Sequence, residues 1–453
     1  MMTLSAAATI LQAPLNGEDR AFTSVSTDTR SLQPDALFVA LQGPNFDGHR
    51  FLGAARDRGA AGALVSTAQQ TDLATIRVPD TRQALGQLAA GWRQQHQIPL
   101  VAVTGSNGKT TVKEMIAAIL GQRSRVLATQ GNLNNDIGLP LTLLRLRDEP
   151  FAVLEMGANH PGEIAYLSGI ARPDVAVITN AGAAHLEGFG DLNGVARAKG
   201  EILGGLTAGG TAVLNADDPR LPIWRELAAG RNIRTFGFSA AADVRSDPAR
   251  VEFEWTEAGF NARFSVHTDS GEFGVQLALA GRHNLRNALA AIAACLALGM
   301  KIDEIQQGLA AIQPVAGRLY GQTAPSGLRV IDDSYNANPD SVAAAIEVLQ
   351  AAPGRRFLVL GDLAELGENA AALHLEIGRR ARQSGIDALW ASGDLSRSAV
   401  EGFGANGRHF ADLQEMIAAL RQTLSATDTV LVKGSRSARM ERVVTALSPA
   451  GED

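Results

Sequence analysis

Residues 104–111, with the sequence Thr-Gly-Ser-Asn-Gly-Lys-Thr-Thr, have the types and spacing of a phosphate-binding loop. A short apolar run precedes them and helical periodicity follows, so the pattern predicts a strand, a loop and a helix. Glycines let backbone N–H groups approach a phosphate, and a helix N-terminus favours an anion. Lys109 can reach the β and γ oxygens, while the Thr110 hydroxyl can bind Mg²⁺. Val103 replaces the first glycine of the common eight-residue pattern.

Other polar residues follow apolar runs further along the chain. Glu155 ends one run and is suited to bind Mg²⁺, although a solvated strand end is the alternative. His185 follows the next run in a glycine-rich loop, where a capping or core role is equally consistent. The spacing around Lys199 is typical of a lysine on a helix surface that pairs with a nearby acid.

Two later segments combine amides, acids and short polar side chains. Residues 281–287 (Gly-Arg-His-Asn-Leu-Arg-Asn) head an apolar helix, where helix capping is as consistent as ligand binding. Residues 332–338 (Asp-Asp-Ser-Tyr-Asn-Ala-Asn) follow a predicted strand. Such side chains can bind the hydroxyl groups of a ribose or can cap a turn.

The elements that must position these residues follow an α/β pattern. Short apolar runs alternate with helical periodicity from residue 100 onward, which predicts a parallel sheet with ligands beyond the carboxyl ends of its strands. Strict alternation between residues 243 and 281 predicts an antiparallel meander, and helices are expected over residues 284–300 and 302–312. A second alternating series predicts a Rossmann-like sheet, with strands near residues 328–332, 357–360, 388–392 and 429–433.

A chain of 453 residues exceeds the size of a single hydrophobic core, so several domains are expected. We predict three domains: a small α/β domain over residues 1–83, a central parallel-sheet domain with an antiparallel extension over 84–313, and a Rossmann-like domain over 314–453. The net charge of −6 gives no basic surface for nucleic acid. The longest apolar run is too short to span a bilayer, and the lone cysteine, Cys295, lies within it, which indicates a buried core residue in a reducing cytoplasm.

Taken together, the motifs resemble the Mur ligases of bacterial cell-wall synthesis over essentially the whole chain. The segments at residues 104–111, 281–287 and 433–436 resemble blocks found throughout that family. The segments at 132–140, 155–160, 332–338 and 361–367 resemble blocks of the members that add a dipeptide.

The resemblance implies a three-domain ligase that uses ATP and two Mg²⁺ ions and acts as a monomer. Its substrates would be UDP-N-acetylmuramoyl-tripeptide and D-alanyl-D-alanine, joined through an acyl phosphate. Whether the third residue of the tripeptide is diaminopimelate or lysine stays open, because both leave the same carboxylate to be activated.

The resemblance also assigns roles to single residues. Lys109 would bind phosphate, Thr110 and Glu155 the first Mg²⁺, and His185 the second; Lys199 would carry a carbamate derived from CO₂ that orients a metal, which reverses its surface interpretation. The remaining ATP-binding residues would be Gly105, Ser106, Asn107, Gly108, Thr111, Asn287, Arg318 and Asp333. The substrate-binding residues would be Ser26, Thr27, Asp28, Arg30, Asp47, Gly48, His49, Asn134, Asn135, Tyr335, Asn336 and Asn338.

Three alternatives remain at the level of sequence. A sister ligase could add a different amino acid, including glutamate in folate polyglutamation. A non-catalytic nucleotide-binding scaffold would need no second metal site, so the combination of Glu155, His185 and Lys199 argues against it. A kinase or transport ATPase would have no use for the meander or for the N-terminal unit.

Overall fold

The computed structural model describes residues 1–182, 186–256 and 259–448. Three large sheets, each covered by helices, follow one another along the chain. The predicted class, a three-domain α/β protein, is confirmed.

The N-terminal unit is built on a five-stranded sheet in the order β2-β9-β8-β5-β4, parallel except for β2. Its central strands are apolar and fully buried, so both faces of the sheet are covered. The elements are β1 (Met2–Thr3), α1 (Leu4–Ile10), β2 (Leu15–Asn16), β3 (Ala21–Phe22), β4 (Ser24–Ser26), β5 (Ala36–Val39), β6 (Gln42–Gly43), β7 (Phe46–Asp47), α2 (Leu52–Asp57), β8 (Gly62–Val65) and β9 (Thr75–Arg77). Helix α3 (Thr81–Gln95) then leads into the central unit.

The central unit contains a ten-stranded sheet in the order β11-β12-β10-β13-β14-β15-β16-β18-β17, with β19 paired to β18. Its elements are β10 (Leu100–Thr104), α4 (Lys109–Gly121), β11 (Val126–Ala128), α5 (Gly138–Leu143), β12 (Phe151–Glu155), α6 (Glu163–Ala171), β13 (Val175–Ile178), α7 (Leu186–Phe189), α8 (Leu192–Gly200), β14 (Thr211–Asn215), α9 (Leu221–Leu227), β15 (Asn232–Gly237), β16 (Val244–Arg245), β17 (Glu252–Thr256), β18 (Gly259–Thr268), β19 (Gly271–Leu277), α10 (Arg282–Ala297) and α11 (Ile302–Ala310).

The sheet runs parallel from β11 to β16 and becomes antiparallel in β17 to β19, which confirms the predicted parallel sheet and meander. One detail differs. Phe253 belongs to the apolar side of the alternation but is 46% exposed, because β17 is an edge strand of the described sheet. The first predicted helix also begins and ends earlier than expected: α10 stops at Ala297, and Gly299 follows with a φ of +73°.

The C-terminal unit has a six-stranded sheet in the order β20-β21-β25-β22-β23-β24, parallel except for β20. Its elements are β20 (Tyr320–Thr323), β21 (Arg329–Asp333), α12 (Pro339–Gln350), β22 (Arg356–Gly361), α13 (Ala370–Gln383), β23 (Ala388–Ser392), α14 (Ser396–Phe403), β24 (Gly407–Phe410), α15 (Leu413–Thr423), β25 (Thr429–Lys433) and α16 (Glu441–Leu447). The four predicted strands are present. The two edge strands β20 and β24 were not predicted, because their sequences are short and largely polar.

Cys295 is fully buried in α10, as expected for a core residue. No helix within the described ranges has the length and apolar character needed to cross a membrane.

Candidate active site

The phosphate-binding loop joins the buried strand β10 to the N-terminus of α4, as predicted. Thr179 and Asn180, at the end of the neighbouring strand β13, hold its backbone: the Asn107 amide donates to Asn180 Oδ1 at 3.0 Å, and Thr179 Oγ1 donates to the Asn107 carbonyl at 2.6 Å. The loop is therefore preformed by its neighbour. Lys109 Nζ donates back to the Gly105 carbonyl at 2.8 Å, which places the ammonium over the loop.

Two glycines of this loop have backbone conformations that favour glycine. Gly108, directly before α4, has a φ of +81°, and a Cβ there would lie 2.4 Å from Asn287 Oδ1. Gly105 has a φ of +144°, and a Cβ there would lie 1.9 Å from Thr179 Oγ1. The loop thus approaches both β13 and α10 more closely than any larger residue permits.

We expect Gly108→Ala to weaken nucleotide binding by about tenfold or more, because a left-handed conformation is strained for alanine and Asn287 blocks its Cβ. Titration with ATP by calorimetry measures the effect. Gly121→Ala is the matched control, since Gly121 ends the same helix and nothing lies within 4 Å of its added Cβ. Equal ATP affinity of the two variants would contradict the packing argument.

A buried carboxylate faces the loop from the end of β12. Glu155 is 3% exposed, and its Oε2 accepts from Thr110 Oγ1 at 2.7 Å, while its Oε1 accepts from Asn134 Nδ2 at 2.8 Å. The alternative of a solvated strand end is wrong. A hydroxyl and a carboxylate side by side at a phosphate-binding loop are the hard oxygen donors that Mg²⁺ prefers, so the residues present fit that ion.

Lys199 lies on α8 with 2% of its surface exposed, so the interpretation as a surface lysine is wrong. Its Nζ lies 5.2 Å from the centre of the Phe189 ring and 3.5 Å from the Ala158 carbonyl oxygen. Burial, together with the positive charge of Lys109, lowers the pKa of Lys199 to about 7, and Glu163 and Glu201 only partly oppose this. A large fraction of this amine is therefore uncharged at neutral pH.

The metal prediction also includes His185, which lies outside the described residues. Within the described part of the chain, no group of three His, Cys, Asp or Glu residues is arranged to hold a metal ion. The two predicted metal sites use other donors as well. The first includes the Thr110 hydroxyl, and the second would include a carbamate on Lys199.

Polar residues of the C-terminal unit form the opposite side of the site, which we call the Asp333–Lys433 wall. Lys433 Nζ, 2% exposed, donates to Asp333 Oδ2 at 2.5 Å and to the Asn336 carbonyl at 3.0 Å. Burial raises the pKa of Asp333, and the Lys433 ammonium opposes the rise. The Arg318 guanidinium lies 4.3 Å from the centre of the Tyr335 ring, a cation–π contact that holds both side chains beside Asp333.

One direct hydrogen bond joins this wall to the phosphate-binding loop. Asn338 Nδ2 donates to Asn107 Oδ1 at 2.8 Å, and Asn338 Oδ1 caps α12 by accepting from the Ser341 amide. The first turn of α12 is therefore tied to the loop of the central unit.

These surfaces enclose a cleft of about 1210 Å³ between the central and C-terminal units. The structure brings most predicted site residues together around it: Ser106, Asn107, Gly108, Lys109, Thr110, Thr111, Asn134, Asn135, Glu155, Lys199, Asn287, Arg318, Asp333, Tyr335, Asn336 and Asn338. Gly105 is buried at the start of the loop and is not among the described residues that line the cleft. Asn135 lines it but uses its Oδ1 to cap α5, accepting from the Gly138 amide at 2.8 Å.

The seven predicted contacts of the N-terminal unit are not among the described residues that line this cleft. Ser26, Asp28 and Arg30 form a local turn, in which Arg30 pairs with Asp28 at 2.7 Å and holds the pKa of that carboxyl at about 2. His49 is buried, and its ring bonds Asp47 on one side and the Ser66 amide on the other. Thr27 and Gly48 lie beside these residues in the chain.

Sequence reasoning did not select several residues of the cleft. Lys433 begins the segment 433–436 named above, but no role was assigned to it. A lysine at the end of an apolar strand could have identified it as a site residue. His283, whose pKa burial lowers to about 4, lines the cleft beside Asn287. Asp136 also lines the cleft and belongs to the segment 132–140 named above, but no role was assigned to it. Arg82 and Tyr166 line the cleft too and carried no local signal.

Comparison with known proteins agrees with this arrangement. The Mur ligase family catalytic domain matches residues 21–93, the Mur ligase middle domain matches 103–295, and the Mur ligase glutamate ligase domain matches 317–436. The chain belongs to the Mur ligase family, whose members are ATP-dependent ligases.

Within that family the chain is similar to ligases of one kind. It is 46% identical over 453 residues to the UDP-N-acetylmuramoyl-tripeptide–D-alanyl-D-alanine ligase of Escherichia coli strain K12, covering 99% of both chains. A crystal structure of MurF from Acinetobacter baumannii superposes with a TM-score of 0.91 at 37% identity, covering 98% of both chains. The MurF ligase of Thermotoga maritima in complex with ADP superposes with a TM-score of 0.84 at 30% identity, covering 94% of this chain and 96% of that chain.

Proposed function

We propose that this chain is an ATP-dependent ligase that joins D-alanyl-D-alanine to UDP-N-acetylmuramoyl-tripeptide and releases ADP and phosphate. The supporting observation is the single cleft in which a phosphate-binding loop, a buried Glu155–Thr110 pair and the buried Lys199 face the Asp333–Lys433 wall. The 46% identity to the Escherichia coli ligase over the full length supports this choice of substrates.

The nucleotide would lie between the two units. Lys109 and the loop amides bind the β- and γ-phosphates, and Asn287, Arg318 and Asp333 contact adenine, phosphate and ribose. Thr110 and Glu155 would hold one Mg²⁺, and His185 with a carbamate on Lys199 would hold a second; these ions neutralise phosphate charge when bound. Burial lowers the pKa of Lys109, with the negative charge of Glu155 opposing the shift.

Lys199 has the environment that a carbamate requires. The uncharged amine attacks CO₂ and loses one proton, which gives a carbamate anion with two oxygen donors. Lys199 is only 2% exposed at the edge of the cleft, and the Phe189 ring packs beside its amine.

The reaction consists of two transfers. The free carboxylate of the tripeptide attacks the γ-phosphorus of ATP, which forms an acyl phosphate and releases ADP. The amine of the dipeptide then attacks the carbonyl carbon, loses a proton, and expels inorganic phosphate as the amide bond forms. The Asn107–Asn338 contact keeps the C-terminal unit over the loop, and such closure protects the acyl phosphate from water.

The remaining parts of the proposal concern the surroundings of the cleft. Ser26, Thr27, Asp28, Arg30 and the segment 47–49 bind the UDP-sugar in the N-terminal unit, and domain boundaries fall near residues 83 and 313. The ligase acts as a monomer in the cytoplasm, in keeping with its reduced, buried Cys295.

Phosphate release with each substrate omitted in turn tests this function. We expect release to require ATP, Mg²⁺, the UDP-tripeptide and D-alanyl-D-alanine, with the pentapeptide product identified by mass spectrometry. Replacement of the dipeptide by glutamate, diaminopimelate or lysine should give no product. Phosphate release that is unchanged without the dipeptide, or product formed from one of those amino acids, would contradict the proposal.

A further inference from the structure

The cleft has a charged corner to which the proposed chemistry gives no role. Arg82 at the start of α3 pairs with Asp136, which lies just before α5, through two hydrogen bonds; the Arg82 Nη2 donates to Asp136 Oδ1 at 2.7 Å. The side chain of Arg82 is 53% exposed and that of Asp136 is 30% exposed. Both charges are therefore accessible from the cleft.

A phenol completes this corner. Tyr166 on α6 is 40% exposed, and its hydroxyl packs so closely on α3 that a Cβ at Gly86 would lie 2.0 Å from it. Gly86 is one helical turn after Arg82, so the hydroxyl lies beside the ion pair. Burial and the negative charges of Asp136 and Asp80 raise the pKa of Tyr166, which keeps the hydroxyl protonated as a donor.

The corner lies close to the reacting groups. Asp136 is two residues from Asn134, whose amide holds the Glu155 carboxylate, so the chain spans at most about 7 Å between them. The carboxylate that receives the phosphoryl group must lie near Glu155 and the loop. The third side chain of the tripeptide starts beside that carboxylate, and Arg82 and Asp136 line the same cleft as Asn134 and Glu155.

We propose that Arg82, Asp136 and Tyr166 form a subsite for a zwitterionic end of the tripeptide's third side chain, as 2,6-diaminopimelate provides. This inference rests on the proposed function. Arg82 pairs with the distal carboxylate and Asp136 with the distal ammonium, while Tyr166 donates to the carboxylate.

The charge pattern selects this class of ligand. A lone anion would have to compete with Asp136 for Arg82, and a lone ammonium, as in lysine, would face the positive charge of Arg82. A zwitterion replaces each half of the ion pair with an equivalent partner, so neither protein charge loses its counter-ion. The ammonium of D-alanyl-D-alanine does not fit here, because it must reach the acyl phosphate itself.

Steady-state kinetics with two tripeptides test this assignment. Arg82→Gln should raise the KM for the diaminopimelate tripeptide about ten- to hundredfold. It should lower the KM for the lysine tripeptide, whose ammonium no longer faces a positive charge, and leave the KM for ATP and the dipeptide unchanged. Asp136→Asn should raise the KM for both tripeptides, since both carry the ammonium. Tyr166→Phe keeps the ring packed on Gly86 and should raise the KM for the diaminopimelate tripeptide alone.

Arg125→Gln is the matched control, because Arg125 forms an exposed ion pair with Asp148 in the central unit at 2.5 Å, and neither residue is among the described residues that line the cleft. Its kinetics should equal those of the unaltered protein. An Arg82→Gln variant that impairs both tripeptides equally, or raises the KM for the dipeptide, overturns the subsite while the ligase function stands. Failure of the unaltered protein to use either tripeptide overturns the proposed function and this inference with it.

Discussion

Replacement of Lys199 by alanine is expected to abolish turnover, with a loss of about a thousandfold or more, comparable to the removal of a key electrostatic group from an active site. The lysine is 2% exposed, and burial with the nearby Lys109 charge lowers its pKa to about 7. An amine with this pKa is partly uncharged near neutral pH, as the proposed carbamate requires. Short carboxylic acids should partly restore activity to Lys199→Ala, because a carboxylate of similar size can occupy the space of the carbamate.

The direction of the pH effect follows from this lowered pKa. Protonation below about pH 7 converts Lys199 to an ammonium that does not take up CO₂, so activity should fall on the acid side and recover when bicarbonate is added. Arg197→Ala is the matched control, since Arg197 is exposed on the same helix. Full activity of Lys199→Ala, or no response to acetate or bicarbonate, would leave the lysine with a packing role.

Replacement of Glu155 by glutamine should lower kcat by about a hundredfold and raise the Mg²⁺ concentration needed for half-maximal activity. The amide keeps the shape of the side chain and can still accept from Thr110 Oγ1, so the fold should be retained. It loses the negative charge that would hold the ion. Activity measured across a series of Mg²⁺ concentrations separates this role from a structural one.

Glu226→Gln serves as the control for Glu155→Gln, because Glu226 is exposed on α9 in the same unit. The substitution removes an equal charge. It should leave both kcat and the Mg²⁺ dependence unchanged. A Glu155→Gln variant with lower kcat but an unaltered Mg²⁺ dependence would contradict a direct role in metal binding.

Local sequence patterns were sufficient to predict most of this fold. Buried strands such as β10 are continuous apolar runs, and the bounds of β25 agree with the predicted strand at residues 429–433. The glycines of the phosphate-binding loop also act locally, since their positive φ values set the turn before α4. Edge strands are harder to recognise: among the described residues β24 pairs with β23 alone, and its sequence lacks a long apolar run.

The candidate site was less predictable, because burial and pairing depend on distant parts of the chain. Helical spacing suggested a surface position for Lys199, yet α9 packs against α8, and Trp224 donates to the Ala196 carbonyl at 2.9 Å. The bond between Asn107 and Asn338 joins residues 231 positions apart. Such contacts leave no periodic signal, so only the resemblance to a known family pointed to Lys199.

Transfer of an oxygen isotope tests the central claim, activation of a carboxylate by phosphoryl transfer, most directly. The free carboxylate of the tripeptide's third residue is labelled with ¹⁸O, and the inorganic phosphate released during ligation is analysed by mass spectrometry. Because the carboxylate oxygen becomes the bridging oxygen of the acyl phosphate and leaves with phosphorus, each phosphate should carry one ¹⁸O atom. Unlabelled phosphate accompanying formation of the amide product would contradict the account.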